Sequence, residues 1–276
     1  MKQLTMIITG ASDGIGAEAA RALARQGHRI VLVGRNREKT EAIARELKAD
    51  HFLADFSVLQ EVRALASLLL QRYPQIDVLA NNAGGIFTPV RQSTDDGFEL
   101  TFQVNYLAPY LLTHLLLERL IASQASVINT SSVANRLYGS VDLSDLNAER
   151  HYDPKRAYGN AKLEQIMFTS ELHRRFGPLG LGAAAFHPGI VRTGFSRDPG
   201  SSMESVYGNR LISTFLATPA KGADTLIWLA GQGQERTWPS GEYFKHRKVA
   251  RTNPQAKDAS LCSSLWERTR LMLQLD

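Results

Sequence analysis

The sequence holds a single cysteine, Cys262, in 276 residues. An internal disulfide is thereby excluded, and with it the disulfide-stapled scaffolds of small secreted proteins. No His or Asp stands beside Cys262 in sequence, so a packing role is expected rather than a catalytic thiol. Nowhere is there a run of about 20 apolar residues of the kind that spans a bilayer. The longest apolar clusters, around Leu111–Leu117 and Leu65–Leu70, are broken by polar residues. The N-terminal MKQLTMIITG passes straight into an apolar strand without a charged leader or cleavage site, so no targeting segment is expected. Internal repeats, low-complexity tracts and Pro/Gly-rich linkers are also missing. The net charge of +5 is spread among alternating acidic and basic residues, without the basic stripe of a nucleic-acid binder. His114, His151 and His187 are scattered without ligand spacing, so no metal site is expected.

What is present is ordinary globular material: 43% hydrophobic and 21% charged residues, which argues against disorder. A chain of this length buries a sizeable core and can remain one domain, here expected to run from 1 to 276. With a lone thiol and no membrane span, a soluble cytoplasmic protein is expected.

Short β-type runs alternate with helix-period runs along the chain. Strands are expected at Leu4–Thr9, Arg29–Gly34, His51–Leu53, Ile76–Ala80, Ser126–Thr130 and Leu181–His187. Helices are expected at Gly14–Gln26, Glu38–Lys48, Val58–Arg72, Gly97–Leu120 and Arg156–Phe176. Apolar strands such as MIIT, IVLV and SVINT suit burial on both faces, as a parallel sheet covered by helices requires. The pattern predicts an α/β fold: a Rossmann-like, doubly wound parallel sheet of about seven strands, with ligands at the carboxyl ends of the strands. Two long connections, about 133–155 and 193–219, break the rhythm at that edge and are expected to wall and cover a substrate pocket.

Thr9-Gly10-Ala11-Ser12-Asp13-Gly14-Ile15-Gly16 follows the first strand and opens the first helix. Glycines there allow a tight turn and a close backbone approach to a pyrophosphate, which the helix N-terminus then attracts. About twenty residues on, a site for NAD needs an acid for the ribose 2′-hydroxyl, whereas an Arg accommodates the 2′-phosphate of NADP. Val33-Gly34-Arg35-Asn36 has no acid and offers Arg35, so NADP(H) is the expected cofactor, with NAD(H) disfavoured. Ser12 can add a hydrogen bond.

Further motifs follow in order: Asp55-Phe56, Asn81-Asn82-Ala83-Gly84, Asn105, Ser131-Ser132, Tyr158-Gly159-Asn160-Ala161-Lys162 and His187-Pro188-Gly189-Ile190-Val191-Arg192-Thr193. With T-G-x-x-x-G-x-G, N-N-A-G and Y-x-x-x-K among them, the chain resembles the short-chain dehydrogenase/reductase family over nearly its whole length. The resemblance implies that Asp55 and Phe56 sit at the adenine, that Asn82, Ala83 and Gly84 line the ribose, and that Pro188, Gly189, Val191 and Thr193 cradle the nicotinamide amide. Many NADP-preferring relatives carry a basic residue where this chain has Asp13.

The chemistry asks for these residue types. Hydride transfer to a carbonyl leaves an oxyanion that must receive a proton. Tyr158 is the expected acid or base, although an ordinary phenol titrates near ~10. Lys162, four residues on, shares its helix face, and an ammonium there favours the phenolate. Either Ser131 or Ser132 can hydrogen-bond the substrate oxygen; the family's pattern favours Ser132. By resemblance alone, Lys162 also holds the nicotinamide ribose and Asn105 helps carry a water-linked proton path from it.

The connection Asp142–Tyr152, with Ser240–Phe244 and Leu265-Trp266-Glu267, is similar to the subgroup of retinol dehydrogenases and protochlorophyllide reductases. Phe87, Leu137, Tyr138, Tyr152, Phe195, Met203, Val206, Tyr207 and Phe215 would give an apolar pocket for a lipophilic ketone or aldehyde. Two other classes share such a fold: an epimerase or dehydratase with a tightly held nicotinamide, and a non-catalytic dinucleotide sensor. The family resemblance also implies a homodimer or homotetramer, paired through the helices at Gly97–Leu120 and Arg156–Phe176.

Overall fold

A computed structural model describes residues 2–87, 89–189 and 218–275. The strands are β1 (Thr5–Thr9), β2 (Arg29–Gly34), β3 (Asp50–Leu53), β4 (Val78–Asn81), β5 (Ser126–Thr130), β6 (Gly182–His187), β7 (Glu242–Lys245) and β8 (Lys248–Val249). All belong to one sheet, in the order β3-β2-β1-β4-β5-β6-β7-β8. Every neighbouring pair from β3 to β7 is parallel, and β8 turns back antiparallel on β7.

The central strands are apolar because both faces are covered. Ile7, Val31, Leu79 and Val127 point into one layer, packed with α3 (Leu59–Arg72), α5 (Ala108–Leu115) and α8 (Pro154–Phe176). Met6, Ile8, Leu32 and Ala80 point into the other, against α1 (Gly14–Arg25), α2 (Arg37–Leu47) and α9 (Pro219–Ala230). The alternation is the period of two of a pleated strand, here apolar on both sides. The chain runs outward from β1 through β2 to β3, then returns to place β4 on the other side of β1. That reversal opens a crevice at the carboxyl ends of β1 and β4, where doubly wound sheets bind ligands. No helix among the described residues is long and apolar enough to cross a membrane.

The expected doubly wound parallel sheet is present, with eight strands among the described residues where about seven were expected. His246 and Arg247 both take positive φ (51° and 60°), forming the tight turn that folds Lys248–Val249 back. Neither is the Asn or Gly that usually signals such a turn. The helix expected over Gly97–Leu120 is interrupted: α4 (Leu100–Phe102) leads into a single π turn (Gln103–Leu107), then α5, then α6 (Leu117–Ala122). Two residues explain the break. Pro109 has no N–H for the carbonyl four residues back, that of Asn105. The Asn105 side chain takes over part of the ladder, its Nδ2 donating to Thr101 O at 2.8 Å. Gly97 lies outside the helix at φ 86°, and Glu99 caps its start by accepting from Thr101 N and Phe102 N.

The connection after β5 holds a short helix, α7 (Ala134–Leu137), and leads to α8, which Asp153 caps by accepting from Arg156 N. The C-terminal α10 (Ala259–Met272) lies on α5 and α8. Trp266 stacks on Phe168 (5.6 Å) and meets Tyr110 edge-on (5.0 Å). Helices α5 and α8 are two of those through which the family resemblance implied pairing of copies.

Candidate active site

A cleft of about 640 Å³ runs along the carboxyl edge of the sheet. It begins at the turn after β1. Gly10 has φ 64°, and a Cβ there would lie 2.8 Å from Ala83 Cα, so the turn needs glycine. Asp13 caps α1, its Oδ1 accepting from Gly14 N. Gly10, Ser12, Asp13, Gly14 and Ile15 all line the cleft. Gly16 packs behind it, where a Cβ would collide with Gly10 O and Asn82 Nδ2.

At the end of β2, Arg35 and Asn36 line the cleft together with Asp55 and Phe56 from beyond β3. Arg35 is 62% exposed at its side chain and reaches within 3.9 Å of Asp55 Oδ2. Asp55 Oδ1 is engaged by Ser57 N and Oγ. The Asn36 side chain caps α2, accepting from Lys39 N, so it has structural work beside any contact with a ligand. Sequence reasoning missed Lys39. It lines the same end of the cleft and pairs with Asp13 at 2.9 Å. Its signal was a basic residue one turn after Arg35, on the helix whose start faces the cleft.

The middle of the cleft is the Asn82–Gly85 turn. Asn82 braces it: Nδ2 donates to Thr9 O and Gly10 O, and Oδ1 accepts from Thr130 Oγ1. Asn105 stands behind, fully buried, and is not part of the lining. Its Nδ2 donates to Gly85 O and Thr101 O, and its Oδ1 accepts from Gly85 N. This side chain is committed to the turn and to its helix. Beside any part in a water-linked proton path, the side chain holds Gly85 in place.

At the far end, β5, α7, α8 and β6 converge. Ser131 and Ser132 now separate. Ser131 is buried and its Oγ donates to Lys162 O at 2.7 Å, so its hydroxyl is occupied. Ser132 Oγ accepts from Ala134 N at 3.2 Å, a contact that spends a lone pair and not the hydroxyl hydrogen. Tyr158 and Lys162 share one face of α8, with Lys162 Nζ 5.5 Å from the Tyr158 ring centre. Lys162 is buried and donates to Thr130 O (2.9 Å) and Gln165 Oε1 (3.2 Å). Burial pushes its ammonium down to about 7. Gln165, also missed from sequence, is thus a partner of that amine.

His187, Pro188 and Gly189 close the described wall. Burial, aided by nearby Lys245 and His246, pushes His187 down to about 4, so its ring is neutral at physiological pH. Its Nδ1 is buried without a hydrogen-bond partner among the described residues. Val191 and Thr193, expected at the nicotinamide, lie outside the described residues, as do Phe195, Met203, Val206, Tyr207 and Phe215.

The short chain dehydrogenase family model matches residues 4–203. A Streptomyces sp. (strain C5) protein to which daunorubicin C-13 ketoreductase activity is ascribed, DnrU, is 43% identical over 95% of this chain and 90% of its own length. Human retinol dehydrogenase 13 is 36% identical over 99% of this chain and 85% of its own. Among solved structures, a short chain dehydrogenase from Shigella flexneri 2a complexed with NADP superposes with a TM-score of 0.68 at 25% identity, covering 90% of this chain and 98% of that one. The cleft, its glycine turn and the shared face of Tyr158 and Lys162 agree with these similarities, and the chain belongs to the short-chain dehydrogenase family, an oxidoreductase acting on CH–OH groups.

Proposed function

We propose that this enzyme interconverts a carbonyl and an alcohol with NADP(H), and that it reduces a lipophilic ketone or aldehyde. The observation that carries the reading is the convergence of Ser132, Tyr158 and Lys162 at one end of a cleft whose other end holds Arg35 and Lys39. The residues fit the dinucleotide. A cradle that only glycine fills would hold the pyrophosphate, the start of α1 offers backbone N–H groups, and two cations suit a 2′-phosphate where an acid would suit a hydroxyl. The NADP complex of a related structure supports the same choice.

When bound, the cofactor supplies or accepts the hydride. Ser132 donates a hydrogen bond to the substrate oxygen, fixing it and stabilising the negative charge that develops there. Tyr158 gives that oxygen its proton in reduction and takes it back in oxidation. Lys162, when charged, favours the phenolate. Asn105 acts at one remove, by keeping Gly84 and Gly85 packed beside Lys162: a Cβ on Gly84 would lie 2.5 Å from Asn105 Oδ1 and 3.3 Å from Lys162 Nζ.

Phe87, Val133, Leu137 and Tyr138 give the substrate end an apolar lining, which supports a lipophilic substrate. The names of the relatives, a ketoreductase of daunorubicin and a dehydrogenase of retinol, point the same way. Residues 133–155 are read as a wall of the pocket, within one domain that spans the chain; the second expected wall, 193–219, lies outside the described residues as far as residue 217. Cys262 is a buried free thiol held protonated, its pKa raised to about 11, which suits the reducing cytoplasm. A homodimer or homotetramer, if formed, uses a surface other than the α5 and α8 face that α10 covers.

The test follows reduced-nicotinamide absorbance with a panel of lipophilic ketones and aldehydes. NADPH should be consumed faster than NADH, and Tyr158→Phe should cost about 10²–10⁴ in kcat. An unchanged rate in Tyr158→Phe would remove the acid–base assignment. A nicotinamide already bound in the purified protein, with no consumption of added NADPH, would favour an epimerase or dehydratase.

A further inference from the structure

Ser132 opens a connection that has no strand partner of its own, yet its position relative to Tyr158 decides whether a carbonyl can bridge the two. What fixes it comes from the other end of the chain. Asn135 Nδ2 donates to Ser132 O at 2.6 Å, with Asn135 N on the same carbonyl at 3.2 Å. Asn135 is fully buried and is itself held from two sides. Asn253 N donates to its Oδ1 (3.0 Å), and the buried phenol of Tyr243 lies close to its side chain.

Asn253 continues the contact along the connection. Its Nδ2 donates to Asn135 O (3.2 Å) and Gly139 O (2.8 Å). Two residues on, Gln255 treats Val141 as a strand would: its Oε1 accepts from Val141 N and its Nε2 donates to Val141 O, both at 2.9 Å. Between these anchors the connection is pressed onto α8 next to Tyr158. A Cβ on Gly159 would lie 2.7 Å from Tyr138 Cβ and 2.8 Å from Gly139 N, and Asn160 Oδ1 accepts from Ser140 N.

We propose that Asn253 and Gln255 are positioning residues for Ser132: through Asn135, Gly139 and Val141 they set where its hydroxyl stands relative to Tyr158. The inference rests on the reading of Ser132 as the group that holds the substrate oxygen. The side-chain roles are separable. Asn253 Oδ1 accepts from Gln255 N, capping the short helix Pro254–Lys257, while Nδ2 holds the connection. Asn253→Ser keeps a good cap but removes both donors. Gln255→Glu keeps the acceptor for Val141 N and removes the donor to Val141 O.

The experiment measures kcat and KM for carbonyl and NADPH in Asn253→Ser, Gln255→Glu, Ser132→Ala and the Asn253→Ser/Ser132→Ala pair, alongside thermal midpoints. Misplacement of a reacting group by a fraction of an ångström should cost about tenfold in kcat. KM for NADPH should stay as in the parent, because the phosphate end is untouched. In the Ser132→Ala background Asn253→Ser should cost nothing further, since the residue it positions is gone. A kcat in both single variants within about twofold of the parent, or losses that simply multiply in the pair, would overturn the proposal. A lowered thermal midpoint with unchanged kcat would leave only a structural tie. Should Asn253→Ser not fold, Gln255→Glu decides by the same split. If Ser132→Ala itself leaves kcat unchanged, the reading of Ser132 fails first, and the positioning role falls with it.

Discussion

Lys39 Nζ lies 2.9 Å from Asp13 Oδ2, tying the first turn of α2 to the N-cap of α1 at the end of the cleft that Arg35 lines. Both side chains are more than half exposed, so the pair adds little to stability. Its weight is electrostatic. An unpaired carboxylate at position 13 would repel a 2′-phosphate, and the sequence alone leaves that objection standing. Paired with Lys39, the carboxylate is offset, and the ammonium is held where a phosphate can share it.

Cofactor choice should therefore depend on both cations. Arg35→Ala is expected to raise Kd for NADPH by about tenfold, and Lys39→Ala by at least as much, since each removes a charge-assisted contact worth about 1.5 kcal/mol and the second also takes from Asp13 its pairing with Lys39. Neither should weaken NADH appreciably. Titration by nicotinamide fluorescence checks this. Equal losses for the two cofactors would mean that the cations act on the pyrophosphate or on the fold instead.

Lys162 offers a test through pH. Its folded-state pKa is pushed down from 10.5 to about 7 by burial. Between those values the unfolded chain binds a proton that the folded chain does not, so folding stability gains from this group as pH rises from about 7 toward 10.5. Below 7 both states carry the charge and the full cost of burying it is felt. In Lys162→Met the contribution disappears. Denaturant curves of parent and variant should thus shift in the parent's favour as pH rises through that window. Parallel pH profiles would show that the amine is hydrated in the folded protein.

Much of this was legible in the residues. The parallel sheet followed from strands apolar on both faces, and the glycine turn, Arg35, Tyr158 and Lys162 from motif and spacing. Gly10, Gly14, Arg35, Tyr158 and Lys162 line one cleft. What was not legible depended on contacts between distant segments. Sequence could not separate Ser131 from Ser132, because the carbonyl that occupies Ser131 belongs to Lys162, 31 residues away. It read one helix across Gly97–Leu120 because apolar periodicity does not register a side chain such as Asn105 taking a carbonyl from the ladder. Lys39 looked like any helix-surface lysine until Asp13 was placed opposite it.

Asn105 should behave as a brace. Asn105→Ala strands Gly85 N, Gly85 O and Thr101 O in a buried place, at about 1–3 kcal/mol for each group that water cannot reach. The thermal midpoint should fall and NADPH should bind more weakly, because the Asn82–Gly85 turn lines the middle of the cleft. A large loss of kcat with unchanged stability and unchanged NADPH affinity would instead restore a direct part in proton transfer for this side chain.

Trp266 tests the face that α10 covers. Its indole packs among Tyr110, Phe168 and Phe176, with the Arg175 guanidinium 4.9 Å from the ring centre, and Tyr110 OH donates to its carbonyl. One turn on, Thr269 shares a hydrogen bond with the buried Tyr106. A helix seated by so many aromatic contacts is part of the core, and Trp266→Ala should cost about 3–5 kcal/mol in denaturant unfolding. Sedimentation of the parent should give an assembly state that cross-linking maps away from α5 and α8. If copies pair through those helices after all, α10 must be displaced. Trp266→Ala would then cost little stability and strengthen association.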